Sequence, residues 1–112
     1  MKSKDAVAAL SALAQDTRLL VFRHLMQCLP DGVPAGDLAA KLDVPPSTMS
    51  SHLAILVRAG LVTSTREGRT IYFSADQEGI RDLLQFLIKD CCRGKPEICS
   101  QLVEALMPAC CP

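Results

Sequence analysis

Five of the six cysteines in this 112-residue chain fall in its last 22 positions, as Cys91, Cys92, Cys99, Cys110 and Cys111; only Cys28 lies elsewhere. A secreted disulfide scaffold would spread its cysteines along the chain, whereas clustered thiols in a reducing compartment bind metals or react. Adjacent cysteines are poor disulfide partners, because a trans peptide holds their Cα atoms about 3.8 Å apart, below the roughly 4.4 Å that a disulfide needs. Cys91 and Cys92 therefore read as a pair of ligands, and Cys99 is the next cysteine along the chain. Three thiolates on one ion at about 2.3 Å must lie within roughly 4.6 Å of one another, while a continuous helix would set residues 92 and 99 about 10.5 Å apart. Gly94 and Pro96 stand between them and interrupt such a helix, allowing Cys99 to fold back to the pair. Three soft sulfurs without a nearby histidine suit a thiophilic ion of low coordination number. Cys110 and Cys111 leave several roles open: a four-sulfur site for zinc, cadmium or lead, a reach to another subunit, a second site, or none. Cys28 is expected to be a core residue carried on a helix rather than a ligand, and His24 is expected to be structural.

A second constellation lies in the middle of the chain. Ser47, Thr48, Ser50, Ser51 and His52 follow Pro45-Pro46, and Arg66 and Arg69 flank Gly68. Small hydroxyls at the exposed start of a helix can approach phosphates and base edges without filling a groove. Two cations at the tip of a protruding ribbon can reach phosphates or a narrow minor groove. Taken singly, a serine-rich helix start is ordinary capping sequence and two arginines are a solvated turn; taken in order, they point to double-stranded DNA. The formal net charge of zero, 12 basic against 12 acidic groups, argues the other way until it is divided. Residues 44–75 hold three basic groups and one acidic group, and residues 76–112 hold four and six. The excess of positive charge lies where the DNA-facing residues are.

These groups need elements to position them. Helical spacing through Val7, Leu10 and Ala14, and again through Leu19, Phe22, Met26 and Leu29, predicts two helices. Asp16-Thr17 is the N-cap candidate for the second, and Pro30-Asp31-Gly32 ends it. A short helix over Pro34 to Leu42 is broken by Asp43-Val44-Pro45-Pro46. A further helix carries Met49, Leu53 and Leu56 and stops at Gly60. Leu61 to Thr65 and Thr70 to Ser74 then flank a polar turn, a β-hairpin pattern. Ile80, Leu83, Leu84, Leu87 and Ile88 mark a long helix, followed by a last amphipathic segment with Ile98, Leu102 and Leu106. The expected fold is mainly α with a small β-hairpin, a dimeric winged helix-turn-helix. It is read as one domain over 1–112, with the helix-turn-helix at 34–59, the wing at 61–75, and a dimer helix and cysteine-rich segment at 76–112. Nothing approaches the roughly 18 consecutive apolar residues of a membrane span, and the start of the chain is unlike a signal peptide, so a cytoplasmic protein is expected.

Asp16-Thr17-Arg18-Leu19, the run of Ser47, Ser50, His52, Leu53, Leu56 and Ala59-Gly60-Leu61-Val62, and Arg66, Gly68, Arg69 and Tyr72 resemble the signature of the ArsR/SmtB family of metal-responsive repressors. The resemblance spans about residues 5 to 90. It implies a homodimer that represses its own operon without metal and leaves operator DNA on binding its inducer. It also implies a dimer interface near both chain ends, at Val7, Leu10, Leu83, Leu84 and Leu87. The Cys-x-Cys of the founding arsenic-sensing branch is absent, with Ala35-Gly36-Asp37-Leu38 in its place, and so is the His/Asp set of the zinc sensors. Cys91-Cys92-x6-Cys99 resembles instead the C-terminal three-cysteine sites of some arsenite-responsive members. Trigonal trivalent arsenic suits such a set, as does antimony. The alternatives are a thiol-redox or persulfide sensor of the same fold, a zinc, cadmium or lead sensor, and a thiol-rich metal carrier without DNA function. With no Cys-x-x-Cys and no evident catalytic His–Cys pairing, an enzyme is not expected.

Overall fold

The structure is a computed structural model and describes residues 1–89 together with 101, 104 and 105. Its elements run α1 (Ser3–Leu13), α2 (Asp16–Cys28), β1 (Val33–Pro34), α3 (Ala35–Leu42), α4 (Pro46–Arg58), β2 (Val62–Glu67), β3 (Thr70–Ala75) and α5 (Gln77–Ile88). The fold is a winged helix-turn-helix: α3 packs on α4, and the β2–β3 hairpin follows.

The boundaries have local causes. α2 is capped by Gln15, whose side chain accepts from the Arg18 N–H at 2.8 Å. The expectation of Asp16 or Thr17 as cap is corrected by one residue. Gln15 has the extended backbone a cap requires (φ −152°, ψ 132°), and Asp16 is already helical, its carboxylate at the positive end of the helix dipole. α3 ends at Asp43 in the left-handed conformation (φ 55°, ψ 52°), and Pro46 opens α4 at a position where its missing N–H costs nothing. At the far end of α4, Gly60 turns left-handed (φ 81°). Its N–H donates to the Val57 carbonyl, and the Leu61 N–H donates to the Leu56 carbonyl, at 3.0 and 3.1 Å. These are the paired bonds of a Schellman stop.

The sheet has the order β1-β3-β2 and is antiparallel throughout. The hairpin register runs from Val62 opposite Ala75 to Glu67 opposite Thr70. β1, which pairs Val33 with Phe73 and Pro34 with Tyr72, was not anticipated, since two residues have no periodicity to read.

The core gathers Val21, Phe22, Leu25, Leu38, Met49, Leu53, Leu56, Leu61, Val62 and Leu83. α1 contributes Ala6, Ala9 and Ala12, side chains small enough to let helices approach closely. Its larger apolar residues face outward: Val7 is 65% exposed and Leu10 42%. Val7 and Leu10, expected at a dimer interface, thus lie on the side of α1 turned away from the protomer's core. On α2 the core takes Val21, Phe22 and Leu25, leaving Leu19 and Met26 exposed. α5 divides similarly. Leu83 is 2% exposed, against 47% for Leu84 and 49% for Leu87. Leu83, expected at a dimer interface, is therefore corrected to a residue of the protomer's own core.

α5 is anchored at its start. The Asp76 carboxylate accepts from the Gly79 N–H at 3.1 Å, and the Asp76 N–H donates to the Leu61 carbonyl at 2.9 Å. A Cβ at position 79 would run into the Gly60 carbonyl oxygen, so only glycine lets α5 lie this close to the α4–β2 junction. α5 closes at Ile88, and Lys89 has left helical geometry (φ −57°, ψ 131°). Cys91, Cys92, Cys99, Cys110, Cys111 and the final amphipathic segment with Ile98, Leu102 and Leu106 lie outside the described residues.

Candidate nucleic-acid interface

α4 sorts its residues by helical period. Met49, Leu53 and Leu56 are buried, while Ser47, Thr48, Ser50 and Ser51 are exposed. The hydroxyls cluster in the first two turns, where the helix dipole is positive and no carboxylate stands in the first turn. That is a favourable setting for phosphate. The Ser51 hydroxyl donates back to the Ser47 carbonyl at 3.3 Å, which holds one of the four in place.

His52 behaves differently from its neighbours. It lies three residues after Met49 and four before Leu56, at the edge of the buried stripe, and is half-buried with Nδ1 closed off and without a hydrogen-bond partner. Burial lowers its pKa, and the nearby Arg18 guanidinium lowers it further. Both effects favour the neutral imidazole.

The wing is a two-residue connection, Gly68-Arg69, between paired Glu67 and Thr70. Gly68 carries a positive φ of 64°, a conformation that glycine adopts without strain. Arg66 and Arg69 are both exposed. Strand alternation puts Arg66 on the sheet face of Val62 and Glu67 on the opposite face, so that the acidic neighbour does not share the arginine's side. α4 and β2 pack on each other and meet at Gly60. A 13-residue helix and a six-residue strand each extend about 20 Å from that junction. The hydroxyls and the arginines thus occupy the far ends of two arms of similar length.

Arg18 has a role that the sequence reading missed. Its Nε donates to the Ala12 carbonyl at 2.6 Å and one terminal nitrogen donates to the Ser11 carbonyl at 3.5 Å. It caps the end of α1 from α2, and the signal was a cation placed just after a helix break. Cys28 Sγ also lies 3.6 Å from His24 Nε2, a contact whose signal in the sequence was the four-residue spacing. Cys28 is half-buried, not a core residue. Val7, Leu10, Leu84 and Leu87 share α1 and α5, which pack together. Among the described residues no group of three His, Cys, Asp or Glu can hold a metal ion, and no helix is long and apolar enough to cross a membrane.

A helix-turn-helix domain family matches residues 13–65. The chain is similar to the transcriptional activator HlyU of Vibrio cholerae, with 30% identity over 92 residues that cover 82% of each chain. It is 41% identical over 73 residues to a putative arsenical resistance operon repressor, ArsR2, of Halobacterium salinarum, covering 62% of this chain and 60% of that one. Its fold is similar to the homodimeric winged helix-turn-helix DNA-binding domain of a possible ArsR-family regulator from Mycobacterium bovis. There the TM-score is 0.63 at 24% identity, covering 78% of this chain and 81% of the other.

Proposed function

The chain belongs to the ArsR/SmtB family of winged helix-turn-helix transcriptional regulators, and from that premise we propose a homodimeric repressor that leaves its operator when trivalent arsenic, or antimony, is bound. The observation that carries the DNA half is the face of α4, four exposed hydroxyls at the positive end of a helix whose opposite face is fixed in the core. Ser47, Thr48, Ser50 and Ser51 meet phosphates and base edges in the major groove, and Arg66 and Arg69 hold the flanking backbone. His52, half-buried and biased toward the neutral ring, orients α4 rather than attracting phosphate.

The inducer half rests on the donor set. Cys91, Cys92 and Cys99 supply three thiolates and no imidazole, which suits a trigonal, thiophilic centre better than a tetrahedral or octahedral one. The similarity to an arsenical resistance operon repressor favours arsenic. When bound, the inducer would cross-link the segment following α5. Since α5 is held against the α4–β2 junction by Gly79 and Asp76, a change at its end is passed to the reading head. Operator half-sites lie about 34 Å apart, so a small change in the spacing of two heads weakens binding. A coupling of about 1–3 kcal/mol corresponds to a loss of roughly 5- to 150-fold.

The test is binding to DNA upstream of the protein's own gene, with arsenite, antimonite, zinc, cadmium and peroxide compared as releasing agents. Release by arsenite and antimonite at the lowest concentrations is expected; release by peroxide or persulfide alone, in metal-free buffer, overturns the inducer assignment. In the same assay operator affinity falls steeply with salt, and replacing Arg69 by Ala lowers the slope of log affinity against log salt by about 1. A flat salt dependence would contradict the phosphate contacts.

A further inference from the structure

His24 and Cys28, in the last two turns of α2, form an arrangement that DNA binding does not use. Both are half-buried, and Cys28 Sγ lies 3.6 Å from His24 Nε2. Residues four apart on a helix share a face, so the backbone itself holds the two donors together. An ion bound tetrahedrally at about 2.3 Å from sulfur and about 2.0–2.1 Å from nitrogen keeps its two donor atoms about 3.6 Å apart. The pair already has that span. The setting favours a cation as well: the final carbonyls of α2 carry the negative end of the helix dipole, and no basic side chain stands in its last turn.

We propose that His24 Nε2 and Cys28 Sγ are a two-donor site for a divalent thiophilic cation of the zinc class, separate from the C-terminal cysteines. On binding, the Cys28 thiol loses its proton to solvent and the sulfur lone pair goes to the metal. His24 donates the Nε2 lone pair and carries its proton on Nδ1. No third His, Cys, Asp or Glu joins them among the described residues, so water fills the remaining positions and the ion exchanges freely. The Cys28 carbonyl accepts from the Asp31 N–H at 2.9 Å, in the turn leading to β1, which pairs with wing strand β3. The site therefore stands at the root of the sheet that carries the wing.

The experiment uses full-length protein in which Cys91, Cys92, Cys99, Cys110 and Cys111 are all replaced by Ser, with Co2+ as a spectroscopic stand-in for zinc. That background lacks the proposed arsenic ligands, so its outcome is independent of the inducer assignment. One equivalent per protomer should produce a thiolate-to-cobalt charge-transfer band that zinc bleaches and that His24→Ala and Cys28→Ser each abolish. Zinc should also slow alkylation of Cys28 by iodoacetamide in the same five-serine protein, a readout that needs no further substitution. Absence of the band, its persistence in His24→Ala, or an alkylation rate indifferent to zinc overturns the proposal.

Discussion

His52 stands among the exposed hydroxyls of α4 but is itself half-buried. From its place among serines it looks like a DNA contact; in the fold it is the flank of the buried stripe of α4, with Nδ1 shut away from water. Burial and then Arg18 lower its pKa, so the folded state favours the neutral ring. The unfolded chain takes up a proton near the ordinary value of about 6.5 while the folded protein resists. The stabilisation is complete above that value and is lost as pH falls through it toward the lower folded pKa. Urea denaturation between about pH 7.5 and pH 5.5 should show wild type losing stability on acidification and His52→Gln losing less. Parallel curves would show that His52 does not carry the pH dependence. The other residues expected to face DNA, Ser47, Thr48, Ser50, Ser51, Arg66 and Arg69, are exposed.

At the scale of elements, punctuation was legible and short pairing was not. Pro45-Pro46, Gly60 and Gly68 announce a helix start, a helix stop and a hairpin turn, and each does so through a backbone conformation that few other residues share. β1 is two residues long and exists only because β3 lies beside it, a tertiary fact with no local pattern. Gly79 was equally silent: a glycine inside a helix reads as a mild defect, yet here it admits the Gly60 carbonyl. Gly79→Ala should push α5 off the α4–β2 junction and cost about 1–3 kcal/mol, as overpacking does. The urea midpoint at fixed protein concentration measures it. The same variant should show weaker coupling between inducer and DNA, because α5 no longer bears on the reading head.

Across the whole molecule, the sequence could not divide apolar residues between one protomer's interior and a contact between two. A helical stripe reports only that a face avoids water. The structure makes the division: Leu83 belongs to the protomer, while Val7, Leu10, Leu84 and Leu87 remain exposed on two adjoining helices. Leu84→Asp combined with Leu87→Asp should therefore leave the helical content unchanged and convert a dimer to a monomer by size-exclusion chromatography with light scattering. Operator affinity should fall with it, since one protomer can hold only one half-site. Leu83→Ala should do the reverse, lowering stability by about 2–5 kcal/mol while the folded fraction stays dimeric.

The division of charge has the same meaning at this scale. A chain of zero net charge holds its basic excess in the residues proposed to face DNA and an acidic excess in the segment that carries five of its six cysteines. The two halves of the proposed function are thereby separable, and one measurement joins them. With fluorescent DNA from upstream of the protein's own gene, arsenite should lower the anisotropy of the wild-type complex and leave that of the Cys92→Ser complex unchanged over the same concentrations. Release of Cys92→Ser protein at the arsenite concentration that releases wild type would contradict the account.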